Sequence, residues 1–212
     1  MPHIGTFGEV VRTSMVQNAL ASIVDCPTRL FTFSDDMDGL RKIPENVPNK
    51  SMLKEFIGRP LTSIPDPFDK FESFDEHNNE MLKEFLKKFK FNFIFKSSTE
   101  NYKKGVFNNS LIRVLEKYEE IMNIILPTLR DERRKTYCPF LPICPDTGKV
   151  LQIPLISMDA KKGTVVFNNN DKKLETNILD GNCKLQWKVD WAMRWVTYDV
   201  DFEMYGNDLT EN

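Results

Sequence analysis

Arg29-Leu30-Phe31-Thr32-Phe33-Ser34-Asp35-Asp36-Met37-Asp38-Gly39-Leu40-Arg41 is the stretch whose reading decides the fold. Residues 29–34 carry Phe and Thr between apolar neighbours and read as a short strand. That strand empties into three carboxylates and a glycine. In an open parallel sheet, ligands bind outside the carboxyl ends of the strands, so Asp36 and Asp38 stand where a substrate would. Three carboxylates within four residues suit a cationic substrate or a metal ion; a solvated acidic turn is the plainer alternative.

Upstream, Pro2-His3-Ile4-Gly5-Thr6 opens a helix expected over residues 7–23, where Phe7, Val10, Val11, Met15, Ala19, Leu20 and Ile23 recur at helical spacing. Two small residues and an imidazole at a helix mouth let backbone N–H groups approach a phosphate. A tag-like histidine in front of a helix is the competing reading. Cys26-Pro27 closes the helix, because proline disfavours helical geometry in the residue before it.

Downstream, prolines at 44, 48, 60, 65 and 67 predict loop with a short helix near 51–56. An amphipathic helix follows over 74–89, with Met81, Phe85 and Phe89 on its apolar side. A second strand is expected over 91–96. A long helix is expected over 109–129, burying Leu111, Val114, Leu115, Tyr118, Ile121, Ile124 and Ile125. Strand, helix, strand, helix is the pattern of a parallel α/β sheet. It gives way over 136–185 to short β bursts (150–156, 163–167 and 174–178) divided by turns, which read as a small antiparallel insertion. Residues 187–195 read as helix and 198–204 as a third strand, with Gly206-Asn207-Asp208 as the loop beyond it. The expected domain plan is 1–135, an inserted β-rich subdomain at 136–185, and a return to the first domain over 186–212.

The balance of 31 acidic against 29 basic residues leaves a net charge of −2, so nucleic-acid contact requires a local patch. Arg130, Arg133, Arg134 and Lys135 form one candidate and Lys83, Lys87, Lys88 and Lys90 another, although such runs are more often solvated faces. Four scattered cysteines (Cys26, Cys138, Cys144, Cys183) without a signal peptide read as reduced thiols of a cytoplasmic protein. No apolar run approaches the ~20 residues of a membrane span. No zinc is expected, since Thr147 stands where a ribbon would want the partner of Cys144. Trp187, Trp191 and Trp195 fall one helical turn apart. Core packing is the default for such a stripe; with Asp190 and Arg194 between them, an indole stacked on a substrate cation is the alternative.

In order, these pieces resemble the class I lysyl-tRNA synthetase family, bacterial branch, over essentially the whole chain. The resemblance rests on Pro2-His3-Ile4-Gly5, on Phe33-Ser34-Asp35-Asp36-Met37-Asp38-Gly39-Leu40-Arg41-Lys42 with Pro44-Glu45-Asn46-Val47-Pro48, on residues 184–195, and on Val200-Asp201-Phe202-Glu203 with Gly206 and Asp208. It implies a Rossmann-type parallel sheet in a catalytic domain that activates L-lysine with ATP and passes it to tRNA(Lys) through lysyl-adenylate. His3 would donate to the phosphate; Pro2, Gly5, Thr6, Gly206 and Asp208 would complete the ATP site, with Mg2+ accompanying ATP. Asp36, Asp38 and Trp191 would belong to the lysine pocket. Thr6 replaces the second histidine of the general class I signature, and Cys144-Pro145-Asp146-Thr147 lacks a second cysteine. The family's first strand would precede Met1. Its lysine-bearing pyrophosphate loop and anticodon-binding domain would follow Asn212. A fragment of impaired activity is therefore expected, meeting tRNA mainly through absent parts that a second polypeptide could supply. A non-catalytic paralogue keeping a nucleotide-binding module is the alternative.

Overall fold

The computed structural model describes residues 4–169 and 172–206. They fall into two compact units, one within Met1–Ser98 and Asp201–Thr210, the other within Thr99–Val200.

The first unit opens with helix α1, Ile4–Ile23. It begins three residues before the apolar periodicity does and takes Gly5 and Thr6 into its first turn. None of its described side chains is buried, and Ile23 is 78% exposed. Strand β1, Phe31–Ser34, pairs in parallel with β2, Ile94–Ser97, with Phe31 opposite Ile94 and Ser34 opposite Ser97. This two-stranded pair is the parallel sheet among the described residues. The connection between the strands holds α2, Lys50–Lys54, and α3, Phe74–Lys88. Its prolines do not leave it loose: Leu40, Val47, Leu53, Ile64 and Phe74 form a buried cluster.

Local sequence explains α3 well. Ser73 Oγ accepts from the Glu76 N–H at 3.4 Å, Asp75 and Glu76 occupy the first turn, and Lys87 and Lys88 the last. Each feature stabilises its end of the helix dipole. The buried face differs from the expected one. Phe74, His77 and Leu86 are buried, whereas Met81 and Phe89 are exposed. Phe89 instead lies against Phe7 of α1, with ring centres 4.8 Å apart, and Phe85 and Phe91 flank the same ring.

The second unit begins with α4 (Ser98–Lys103), α5 (Asn108–Glu116), α6 (Tyr118–Ile125) and α7 (Asp131–Arg134). The single helix expected over 109–129 is thus interrupted at Lys117, whose ψ of 18° leaves the helical region. On α5 Leu111, Val114 and Leu115 are buried, whereas on α6, past the interruption, Ile124 is 70% exposed. Strand β3, Phe140–Pro142, pairs antiparallel with β7, Cys183–Leu185. Between them β4 (Leu155–Asp159), β5 (Thr164–Asn169) and β6 (Lys172–Asn177) form an antiparallel meander. Val165 and Phe167 of β5 alternate inward and are fully buried. Gly163 precedes β5 at φ +66°, a left-handed conformation that glycine adopts without strain.

Helix α8, Trp187–Tyr198, follows β7 directly. The expected strand at 198–204 does not form. Tyr198 completes α8 and Asp199 turns left-handed at φ 48°, a helix-terminating conformation. Residues 201–206 then form no strand.

Candidate functional site

The carboxyl end of β1 separates the three acidic side chains. Asp35 is exposed, Asp38 is half-buried, and Asp36 is buried at 2% exposure. A buried carboxylate needs hydrogen bonds, and α3 supplies one. Asn79 Nδ2 donates to Asp36 Oδ2 at 3.1 Å, while Ser34 Oγ donates to Asn79 Oδ1 at 2.5 Å. The Ser34 hydroxyl thereby fixes which way the Asn79 amide faces. Asp75 lies near enough that burial, together with the Asp36 charge, pushes its carboxyl above the usual range against the Ser73 hydroxyl. The turn itself is pinned by the Asp38 N–H to Asp35 O at 3.0 Å and by the Leu61 N–H to Asp38 O at 3.2 Å.

A second buried acid secures the segment behind this turn. Asp66 accepts from the N–H groups of Phe68, Lys70 and Phe71 at 3.1, 3.0 and 3.1 Å, and its Oδ2 lies 2.9 Å from His77 Nδ1. The His77 ring stacks on Phe68 and meets Phe71 edge-on. Burial alone would raise the Asp66 carboxyl; the backbone donors and His77 outweigh it and hold the carboxyl below its ordinary value. The geometry is that of a structural clasp.

In the second unit, the indoles of Trp187, Trp191 and Trp195 form the expected stripe, with centroids 6.1 and 4.7 Å apart. Asp190 is buried and joins Arg194 one turn on. It also accepts from the hydroxyl of Tyr102, which in turn accepts from the Leu185 N–H at 2.9 Å. Burial and the neighbouring Asp190 charge push the Tyr102 phenol well above its ordinary value, so it remains a donor. Tyr198 donates to Asn101 farther along. Helix α8, and Trp191 with it, is therefore tied to α4 at two points. Asp190 and Arg194, which the sequence sets between the indoles, are engaged in this buried network.

Asn79 and Tyr102 are the residues that sequence reasoning missed. Asn79 carries a faint signal, a short amide amid a helix's buried positions; Tyr102 carries none before its partner on α8 is known. Asp36 and Asp38 are brought together in one turn, and Trp191 belongs to the other unit. Gly5 and Thr6 lie in the first turn of α1, and Gly206 ends a stretch, 201–206, that forms no strand. Pro2, His3 and Asp208 lie outside the described residues.

Cys138, Cys144 and Cys183 are buried free thiols and Cys26 is exposed. Burial pushes Cys138 up to about 11. Burial also acts on Cys144, but the Thr147 hydroxyl and the N–H groups of Thr147 and Asp146 outweigh it and lower that thiol. Among the described residues, no group of three or more His, Cys, Asp or Glu side chains is arranged to hold a metal. No helix among them is long and apolar enough to cross a membrane.

The family model described as tRNA synthetases class I (K) matches residues 1–212. Lysine–tRNA ligases of Rickettsia bellii (strain OSU 85-389) and Rickettsia prowazekii (strain Madrid E) are each 54% identical to the chain over 213 aligned positions. The alignments cover 100% of this chain and 41% and 40% of the two relatives. That of Rickettsia felis is also 54% identical, over 41% of its length. The chain thus spans about two fifths of the length of the curated relatives it matches, and nothing in these comparisons supports a second polypeptide. With the model matched from end to end, the chain belongs to the class I tRNA synthetase family of the lysine type.

Proposed function

We propose that this chain carries the lysine-activating part of a lysine–tRNA ligase. The observation that carries the reading is Asp36, a buried carboxylate held by Asn79 at the carboxyl end of a parallel strand, where ligands of such sheets bind. The β1–β2 pair would be the share of a Rossmann-type sheet that lies in this chain. Asp36 and Asp38 would receive the lysine ammonium. ATP would be held by Pro2, His3, Gly5, Thr6, Gly206 and Asp208. The lysine carboxylate attacks the α-phosphate in line, the bond to the leaving pyrophosphate breaks, and lysyl-adenylate forms. His3 would donate to the phosphate as charge accumulates there; the rest of the catalysis is positioning and charge neutralisation. Mg2+ would accompany ATP. Transfer to tRNA(Lys) would engage mainly the part of the relatives' length beyond this chain.

Lysine-dependent ATP–pyrophosphate exchange tests the reading. In a full-length ligase carrying these segments, Asp36→Asn is expected to raise the KM for lysine about tenfold or more and to leave that for ATP little changed. That magnitude is typical of losing a charge-assisted hydrogen bond. An unchanged KM for lysine would remove the acidic turn from the pocket. Exchange by this chain alone is expected to be weak. Tight adenylate binding with no exchange in the completed ligase would favour a nucleotide-binding module instead.

A further inference from the structure

Asn79 stands where α3 meets the end of β1, and its amide can face only one way. On one side Ser34 Oγ donates to Asn79 Oδ1 at 2.5 Å; on the other Asn79 Nδ2 donates to Asp36 Oδ2 at 3.1 Å. Turned over, the amide would set its oxygen against the carboxylate. That would bring two acceptors together where little water reaches, since Asn79 is 8% exposed and Asp36 2%. Asp75, one turn before Asn79 on the same helix, adds a like charge beside Asp36 and is itself held by the Ser73 hydroxyl at 2.6 Å. A donor on that side of Asn79 is what such a neighbourhood requires.

The helix that carries Asn79 is fixed by contacts of its own. Ser73 caps it, Phe74 belongs to the buried cluster with Leu53 and Ile64, and His77 is clasped by Asp66. The turn that carries Asp36 is shaped by backbone hydrogen bonds, from the Asp38 N–H to Asp35 O and from the Leu61 N–H to Asp38 O. These set the path of the turn, and neither holds the Asp36 carboxylate. A carboxylate on a turn gains a defined direction when a rigid element grips one of its oxygens. A neutral amide supplies that grip without bringing a positive charge, so it does not compete with a cation for the carboxylate.

We propose that Asn79, steadied by Ser34, is a positioning residue for lysine binding. It acts through Asp36 rather than on the substrate: the amide turns the carboxylate so that it meets the ammonium in one orientation. The proposal rests on the reading of Asp36 as part of the lysine pocket. Position 79 calls for an amide on both counts. Aspartate there would keep the acceptor that Ser34 reaches but set a third carboxylate beside Asp36 and Asp75. Leucine would fill the same space and hold neither neighbour.

The test is titration of the 212-residue chain with L-lysine, followed by NMR of its amides, in the wild type and in variants. Asn79→Leu is expected to weaken lysine binding about tenfold, as for one charge-assisted contact. Ser34→Ala leaves Asn79 in place and removes only the bond that steadies it, so about threefold is expected. Ser34→Thr keeps the hydroxyl and should retain wild-type affinity. In an Asp36→Asn background, Asn79→Leu and Ser34→Ala are each expected to change affinity by less than about twofold, because residues that act through one group are not additive. A merely structural loss would weaken lysine by the same factor with or without the carboxylate. Ser34 is half-buried, and its small truncation keeps the test open should Asn79→Leu fail to fold. Binding weakened by Asp36→Asn but indifferent to Asn79→Leu and Ser34→Ala, or weakened additively by them, would overturn the positioning role and leave the acidic turn in the pocket. Binding indifferent to Asp36→Asn, or no lysine binding by the wild-type chain, would overturn the reading of Asp36 and the proposal with it.

Discussion

Asp66 makes its stabilisation legible as a titration. Its carboxyl is lowered in the folded protein, although burial alone would raise it. It therefore contributes stability that is present above the unfolded value of about 3.9 and is lost as pH falls through the lower folded value. Asp66→Asn keeps the shape but offers one acceptor oxygen to four donors, and is expected to cost about 3 kcal/mol at neutral pH. Denaturant melts taken from neutrality to acid should show that cost shrinking below about pH 4, because the wild type loses there what the variant never had. The same chemistry limits what could be read beforehand. Asp36 was visible as a candidate because strand-end carboxylates are conspicuous; that it would be the buried one of three, and that Ser34 would orient Asn79 toward it, depends on where α3 lies against β1. A hydrogen bond between residues forty-three apart leaves no trace in local pattern.

Elements divide by how much of their stability is local. Helix α3 is nearly self-specifying: the Ser73 cap, the acidic first turn and the basic last turn mark both ends. Ser73→Ala should accordingly cost about 1 kcal/mol, measured as a lowered denaturation midpoint with an unchanged m-value. Which stripe of α3 turns inward was less legible, because Phe85 and Phe89 satisfy the same periodicity by packing on Phe7 of another helix. The expected β bursts at 163–167 and 174–178 overlap β5 and β6, because alternation and turn residues are short-range signals; the one at 150–156 overlaps β4 only at Leu155 and Ile156. The 198–204 strand was not there to be found: β-rich composition makes a strand only where a neighbour offers its backbone, and α8 runs on to Tyr198. The kink at Lys117 has no composition cue at all, since Lys is an ordinary helix former.

For the molecule as a whole, the division at Ser98 and Thr99 is a statement about cooperativity. Thr99–Val200 holds its own buried residues, from Tyr102 and Phe107 through Phe167 to Leu185. Expressed by itself, this segment is expected to give a dispersed NMR spectrum and a cooperative melt; a collapsed spectrum would show that its fold depends on the first unit. A Rossmann-type parallel sheet was the largest expectation drawn from the chain; among the described residues the parallel sheet has two strands, β1 and β2. Strand–helix alternation reveals the order of elements, not how many strands one piece of chain holds.

The pairing of β1 with β2 also sets a clock. Phe31 meets Ile94, whereas Phe167 of β5 meets Leu174 of β6, a partner far nearer in sequence. Closing the longer loop costs more chain entropy before any contact offsets it, and pairings distant in sequence form late. In refolding with pulsed hydrogen exchange, amides of β5 and β6 should gain protection well before those of β1 and β2. The strand end bearing Asp36 would then be among the last parts of the chain to take shape, and a chain emerging from the ribosome would present its acidic turn unassembled until residue 97 had been made.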